Sequence, residues 1–320
     1  MHFAPPPWLR NAHAQTLWAY LGQGAPSVRY DRQTIATDDG DEVDLDWVYG
    51  GAGAPVLLAC HGLEGSSDSP YMRRLMGRVA QKGWTGAVLH SRSCSGRMNQ
   101  AVISYHSGFI DDLVQIVPLV AARVAPRPVF LVGYSLGGSL VVNYLGRRAD
   151  ALPENVRAAF VCSAPLNLAP GADALDRGLS RLYQFRFLRT LRRKVRTKAR
   201  DHGAWAPAAT AAGASKTLRD FDDRWTAPVH GFHGADDYYE RASSAPYLAK
   251  IRVPTRVLHA DDDPFVTEDC VPRQALEDAP AVTYTSTRGG GHVGFVSGDS
   301  PHWLEDEVLS WLWRQVEPLV

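Results

Sequence analysis

The sequence predicts an α/β protein: a mostly parallel central sheet with helices on both faces and one helical cap insertion. Three observations predict it. Short apolar runs alternate with stretches of helical periodicity. The runs are apolar throughout, as strands buried on both faces are. Residues 166–250 break this rhythm and offer no convincing strand.

Taken in order, residues 33–37 and 44–49 read as antiparallel starter strands, and residues 55–60 (PVLLAC) as the first buried strand. Ser69 then caps a helix with Pro70 at its first position. Its apolar residues Met72, Leu75, Met76, Val79 and Ala80 fall on one stripe. Residues 84–90 (WTGAVLH) form the next strand, and Ile110, Leu113, Val114 and Val117 mark the next helix. Strand 128–132 leads into helix 136–145, and strands follow at 156–162, 253–259 and 282–286. A last helix, capped by Ser300 and started by Pro301, buries Leu304, Val308, Trp311 and Leu312. The chain thus divides into a core of residues 1–165 and 251–320 around an insertion of 166–250.

The 320 residues are 45% hydrophobic, enough for a large core. With 34 basic and 34 acidic side chains, the net charge is zero, so nothing global argues for nucleic acid. Cys60, Cys94, Cys162 and Cys270 form no C-x-x-C pair; free thiols in a reducing compartment are expected. Residues 1–10 carry Pro5, Pro6 and Pro7 but no basic region followed by an apolar run, so no signal peptide is expected. No stretch reaches the ~18 apolar residues of a membrane span. A soluble, cytoplasmic protein is the expectation, and nothing fixes its oligomeric state.

Four local patterns carry chemistry. The first is Gly133-Tyr134-Ser135-Leu136-Gly137, a G-x-S-x-G between a strand and a helix. A nucleophile there sits on a tight turn that pushes its Oγ out of the sheet, and the flanking glycines remove Cβ atoms that would collide. Ser135 also stands at a helix N-terminus, where the dipole favours developing negative charge. The second is His61-Gly62-Leu63-Glu64-Gly65 after the first buried strand. The N–H groups of Leu63 and Leu136 would form an oxyanion hole, with His61 orienting the loop rather than acting as base. The third is Asp261-Asp262-Asp263-Pro264 after a strand end. Adjacent carboxylates rarely converge on one ion, so an acid that orients a histidine is the better reading, and Asp263 is chosen. The fourth is Gly289-Gly290-Gly291-His292-Val293-Gly294, whose glycines let the backbone bring His292 beside the serine. The order Ser135, Asp263, His292 is that of the α/β-hydrolase fold. No metal or cofactor is called for. Cys94 lacks an elbow and reads as loop wall.

The chain resembles the YheT-type α/β-hydrolases nearly end to end. The resemblance rests on Trp8-Leu9-Arg10-Asn11-Ala12-His13-Ala14-Gln15-Thr16-Leu17, on the His61–Gly65 stretch, on Arg92-Ser93-Cys94-Ser95-Gly96 with Asn99, and on Tyr105-His106-Ser107-Gly108. It continues in Thr226-Ala227-Pro228-Val229-His230-Gly231-Phe232 with Asp237-Tyr238-Tyr239, then in Asp262-Asp263-Pro264-Phe265 and Gly290-Gly291-His292-Val293-Gly294-Phe295. Ser93 departs from the glycine usual there. The resemblance implies a Ser–Asp–His triad on Ser135, Asp263 and His292. It also implies esterase-like activity for bacterial members and phospholipid substrates for eukaryotic relatives.

The expectation is therefore a serine hydrolase of carboxylic esters, short- to medium-chain or lipid-like, working through an acyl-enzyme. The same triad would serve an acyltransferase or thioesterase, and a catalytically silent binding protein is a more distant alternative. Ser135 at the elbow excludes a dehalogenase or epoxide hydrolase, which would need an acid there. Residues 177–200 hold ten Arg or Lys and no acid, interleaved with Leu179, Leu182, Phe185, Phe187, Leu188, Leu191 and Val195. That segment is either a solvated helix packed on the sheet's rim or a contact for anionic lipid.

Overall fold

The computed structural model describes residues 2–316. A helix α1 (Ala12–Leu17) precedes the antiparallel strands β1 (Asp31–Ala36) and β2 (Glu42–Val48). There follow β3 (Val56–Cys60), α2 (Pro70–Gln81), β4 (Thr85–Leu89), α3 (Asp111–Val124), β5 (Val129–Tyr134), α4 (Leu136–Arg147) and β6 (Val156–Cys162). The sheet has the order β1-β2-β4-β3-β5-β6, continued by β7 (Thr255–Ala260) and β8 (Val282–Thr287). Only β1·β2 and β2·β4 pair antiparallel; the other neighbours are parallel.

Both faces of the central strands are dry, which is why their sequences show no alternation. Val56, Leu58 and Cys60 of β3 join a cluster with Leu113, Ile116, Val117 and Val120 of α3 and with Val141 and Leu145 of α4. Leu57 and Ala59 face the other way, toward Met72, Leu75, Met76 and Val79 of α2. The same side holds Leu304, Val308 and Leu312 of the C-terminal helix. A side chain of this size contributes about 1.5–3 kcal/mol on burial. β2 is the exception in composition: Asp44 and Asp46 are buried, and Asp46 is held by Arg32 at 2.7 Å and His90 at 2.9 Å.

Between β6 and β7 the chain is helical: α5 (Leu168–Leu175), the long α6 (Ser180–Asp201), α7 (Ala206–Gly213), the short α8 (Leu218–Phe221) and α9 (Ala227–Val229), and α10 (Ala235–Ala242). After β7 come α11 (Arg273–Glu277) and, past β8, α12 (Trp303–Arg314).

Four expectations need adjustment. Ser69 is the N-cap of α2 as predicted, but its Oγ accepts from the N–H of Ser66 instead of capping the helix. The last helix starts at Trp303 rather than Pro301, because residues 300–303 close a turn in which Trp303 N–H donates to Ser300 O at 3.2 Å. Trp311 of that helix is only half-buried. Two cations of the 177–200 segment turn inward: Lys194 Nζ donates to Glu64 Oε1 at 2.6 Å, and Lys198 Nζ to Asn99 Oδ1 at 2.7 Å. All four cysteines are free and buried. Among the described residues, no helix is long and apolar enough to cross a membrane.

Candidate active site

The carboxyl ends of parallel strands are where α/β sheets bind ligands, and all four chemical motifs sit there. β3 ends at Cys60 and runs into His61–Glu64; β5 ends at Tyr134, directly before Ser135; β7 ends at Ala260, before the three aspartates; β8 ends at Thr287, before the glycine run.

Ser135 is held at φ 54 and ψ −125, a backbone conformation disfavoured for a side-chain-bearing residue. Its N–H donates to Cys162 O at 2.9 Å, which fixes the turn to β6. The flanking glycines are required by contact. A Cβ on Gly133 would lie 2.5 Å from Gly137 O, and one on Gly137 would lie 2.3 Å from Cys60 O and 2.5 Å from His61 O. Those neighbours are backbone and cannot swing aside. Gly137→Ala is therefore expected to destabilise by about 1–3 kcal/mol, the usual cost of overpacking. Thermal melts of both proteins check this; an unchanged midpoint would show that the elbow has room to spare.

Ser135, His292 and Asp263, far apart in sequence, are brought into one hydrogen-bonded line. His292 Nε2 lies 2.9 Å from Ser135 Oγ. His292 Nδ1 lies 2.9 Å from Asp263 Oδ2 and 3.1 Å from Oδ1. Asp263 Oδ1 also accepts the N–H groups of Phe265 at 2.8 Å and Val266 at 3.0 Å, which locks the buried carboxylate. The His292 loop is anchored from three directions. His292 N–H donates to Thr16 Oγ1 at 2.9 Å, Val293 N–H to Ser163 Oγ at 3.2 Å, and Gly291 N–H to Asp262 Oδ1 at 2.9 Å. Gly291, at φ 57, passes so close to α1 that a Cβ would meet Ala12 O at 2.4 Å. The Phe265 ring packs on the imidazole, with centroids 4.3 Å apart.

His61 is spoken for. Ser91 N–H donates to its Nε2 at 3.1 Å, so the proton sits on Nδ1 and donates to Gly62 O at 2.7 Å. Burial pushes its pKa down to about 3, so it is a neutral brace of the loop. The loop is braced again by Tyr71, whose hydroxyl accepts Gly62 N–H at 2.9 Å, and by Tyr105, whose hydroxyl accepts Glu64 N–H at 2.8 Å. Tyr105 OH in turn donates to Glu64 Oε1 at 2.9 Å, beside Lys194. Among the described residues, the N–H groups of Leu63 and Leu136 have no hydrogen-bond partner in the protein. Gly62 lies so near that a Cβ there would be 3.6 Å from Ser135 Oγ. Cys94 is no rival nucleophile: burial pushes its thiol up to about 11.

Two cavities meet at Ser135 and His292. The inner one, about 150 Å³, lies under the helical segment and is lined by Leu136, Leu168, Leu175, Val195, Phe221 and Trp225, with Leu63 at its edge. The outer one, about 420 Å³, runs between the N-terminal helix and α6, past Leu17, Tyr20, Leu21, Leu179, Leu182 and Tyr183. Such an arrangement can move a proton off a serine hydroxyl beside a mostly apolar cavity. The residues missed from sequence are those acting at long range, chiefly Thr16, Ser163, Tyr71 and Lys194. Thr16 lay within the N-terminal signature, but nothing local links it to a loop 276 residues on.

The sequence pattern of the alpha/beta hydrolase fold family matches residues 55–299. YheT of Escherichia coli (strain K12) is 36% identical over 98% of this chain and 94% of its own length. Phospholipase ABHD3 of Mus musculus is 28% identical, over 93% of this chain and 74% of its own. Among solved structures, the Pyrococcus furiosus esterase Pf2001 superposes with a TM-score of 0.59 at 14% identity, covering 91% of this chain and 98% of the other, a likeness of fold.

Proposed function

This chain belongs to the α/β-hydrolase fold family, and from that premise we infer a serine hydrolase that cleaves carboxylic esters. The observation that carries the reading is the hydrogen-bonded line from Ser135 through His292 to Asp263, set where two apolar cavities meet. Relatives named as a phospholipase and as a monoacylglycerol lipase support an ester as substrate.

In this reading Nδ1–H of His292 donates to Asp263, which leaves Nε2 free to take the Ser135 proton. Oγ attacks the ester carbonyl, and the N–H groups of Leu63 and Leu136 hold the oxyanion. The C–O bond to the alcohol breaks as His292 returns its proton to the leaving oxygen. Water, deprotonated by His292, then attacks the acyl carbon; as the bond to Oγ breaks, His292 returns that proton to Ser135 Oγ and the acid is released. The helices of residues 166–250 act as a cap that walls the inner cavity, and acyl chain and alcohol take one cavity each. The arginines along α6 support a contact with anionic lipid.

A ladder of soluble p-nitrophenyl esters of rising acyl length tests the reading. Each methylene that enters the inner cavity contributes up to about 0.8 kcal/mol, roughly fourfold in kcat/KM. The expected profile rises over short to medium chains and then falls as the cavity fills. A flat profile would refute an enclosed acyl site, and no turnover on any ester would refute the reading itself.

A further inference from the structure

Around the mouth of the outer cavity lies an apolar surface that the fold does not cover. On one bank, Leu17, Trp18 and Leu21 follow from the N-terminal helix; on the other stand Leu179, Leu182 and Phe185 at the start of α6. Leu21, Leu179, Leu182 and Phe185 are each 60–75% exposed. Trp8 packs edge-on against Trp18, with centroids 4.8 Å apart, and extends the first bank. The banks are tied together. His13 stacks on Tyr183 with centroids 5.9 Å apart, and the Arg186 guanidinium lies 4.4 Å from the Tyr20 ring centre.

This surface is not left over from packing. α6 has a separate core-facing side, with Leu188 and Val195 buried and Phe187 and Leu191 against the inner cavity. At about 100° per residue, Leu179, Leu182 and Phe185 fall on the opposite, outward side. Further along that same side come Arg189, Arg193, Arg196 and Arg200. All four are exposed, and among the described residues none has a carboxylate within ion-pair distance. The chain as a whole is neutral, so this positive charge is local. One outward face therefore carries aliphatic and aromatic anchors at the cavity mouth and arginines beside them. That is the chemistry of a surface that enters the headgroup region of a negatively charged lipid layer.

We propose that this face docks on anionic lipid, bringing the mouth of the outer cavity against the layer so that a lipid ester reaches Ser135 without crossing water. Substrate entry rests on the ester-hydrolase reading; docking does not, and it is measured on protein that cannot turn over. Ser135→Ala protein is spun down with vesicles of phosphatidylcholine alone or of phosphatidylcholine mixed with phosphatidylglycerol. Strong pelleting is expected only with the mixed vesicles, weakening as salt rises. Trp8→Glu with Phe185→Glu, neither of which lines the cavity, should weaken pelleting at least about tenfold. Arg189→Glu with Arg193→Glu, a second and independent variant, should lower it about tenfold by charge alone. With Ser135 restored, both variants should hydrolyse a soluble short ester within about twofold of the parent, which also reports that they fold.

Failure of the parent protein to pellet with anionic vesicles would overturn the docking, as would both variants pelleting like the parent. Light scattering that finds a dimer split by Phe185→Glu would assign the face to a second copy of the chain instead. Firm pelleting with no ester turnover would leave docking intact and remove the hydrolase reading.

Discussion

Ser135→Ala is expected to abolish ester turnover, with a loss on the order of 10⁶ in kcat, the scale found when the serine of another triad is removed. The size follows from what would remain. The acyl-enzyme needs a nucleophile within reach of His292 Nε2, and among the described residues only Ser135 Oγ stands there, at 2.9 Å. Cys94 cannot substitute, since it is buried and its thiol is pushed up to about 11 by that burial, even though the Lys194 ammonium at 3.3 Å works to lower it. His61 is neutral, with both ring nitrogens occupied. A fluorophosphonate probe should therefore label the parent protein and leave Ser135→Ala unlabelled. The elbow is held by backbone contacts rather than by the Oγ, so the variant should melt close to the parent. Equal labelling of the two proteins would remove Ser135 from the mechanism.

The parts of this molecule that sequence reveals are those where one local constraint decides the outcome. β3 and β5 are buried on both faces, so they read as unbroken apolar runs. The elbow needs glycine at two fixed offsets because backbone fills the space a Cβ would take. The His292 loop needs glycine at Gly289, Gly290 and Gly291, all at positive φ. What sequence hides depends on partners far along the chain. α6 carries cations on nearly every side, so its pattern does not say which ones turn inward. Lys194 and Lys198 do so because Glu64 and Asn99 lie beneath them, some 100–130 residues earlier. The same uniformity hides that Leu179, Leu182 and Phe185 face out while Leu188 and Val195 face in. β2 is obscure for the same reason: its Asp44 and Asp46 are buried because Arg32, His90 and Arg97 reach them from other elements.

The three adjacent aspartates give the second large effect, since a one-atom change at neighbouring positions should have very different outcomes. Asp263→Asn is expected to lower kcat by on the order of 10⁴, as loss of the acid does in another serine triad. The geometry says how. Asp263 Oδ1 accepts two backbone N–H groups, from Phe265 and Val266, and neither can turn away. An asparagine must keep its carbonyl oxygen on that side, which places its NH₂ where Oδ2 now sits, 2.9 Å from His292 Nδ1. Two donors cannot face each other, so the imidazole moves its proton to Nε2. In the proposed mechanism that nitrogen is the one that accepts the proton of Ser135. Asp262 does something else. Its Oδ1 accepts the N–H of Gly291 at 2.9 Å and so holds the histidine loop. Asparagine retains that oxygen, so Asp262→Asn should stay within about tenfold of the parent. Steady-state rates on one soluble ester, with melts to show that both variants fold, decide between the positions. A large loss at Asp262 with Asp263→Asn nearly normal would move the acid by one residue. It would also require the loop to rearrange before the histidine could act.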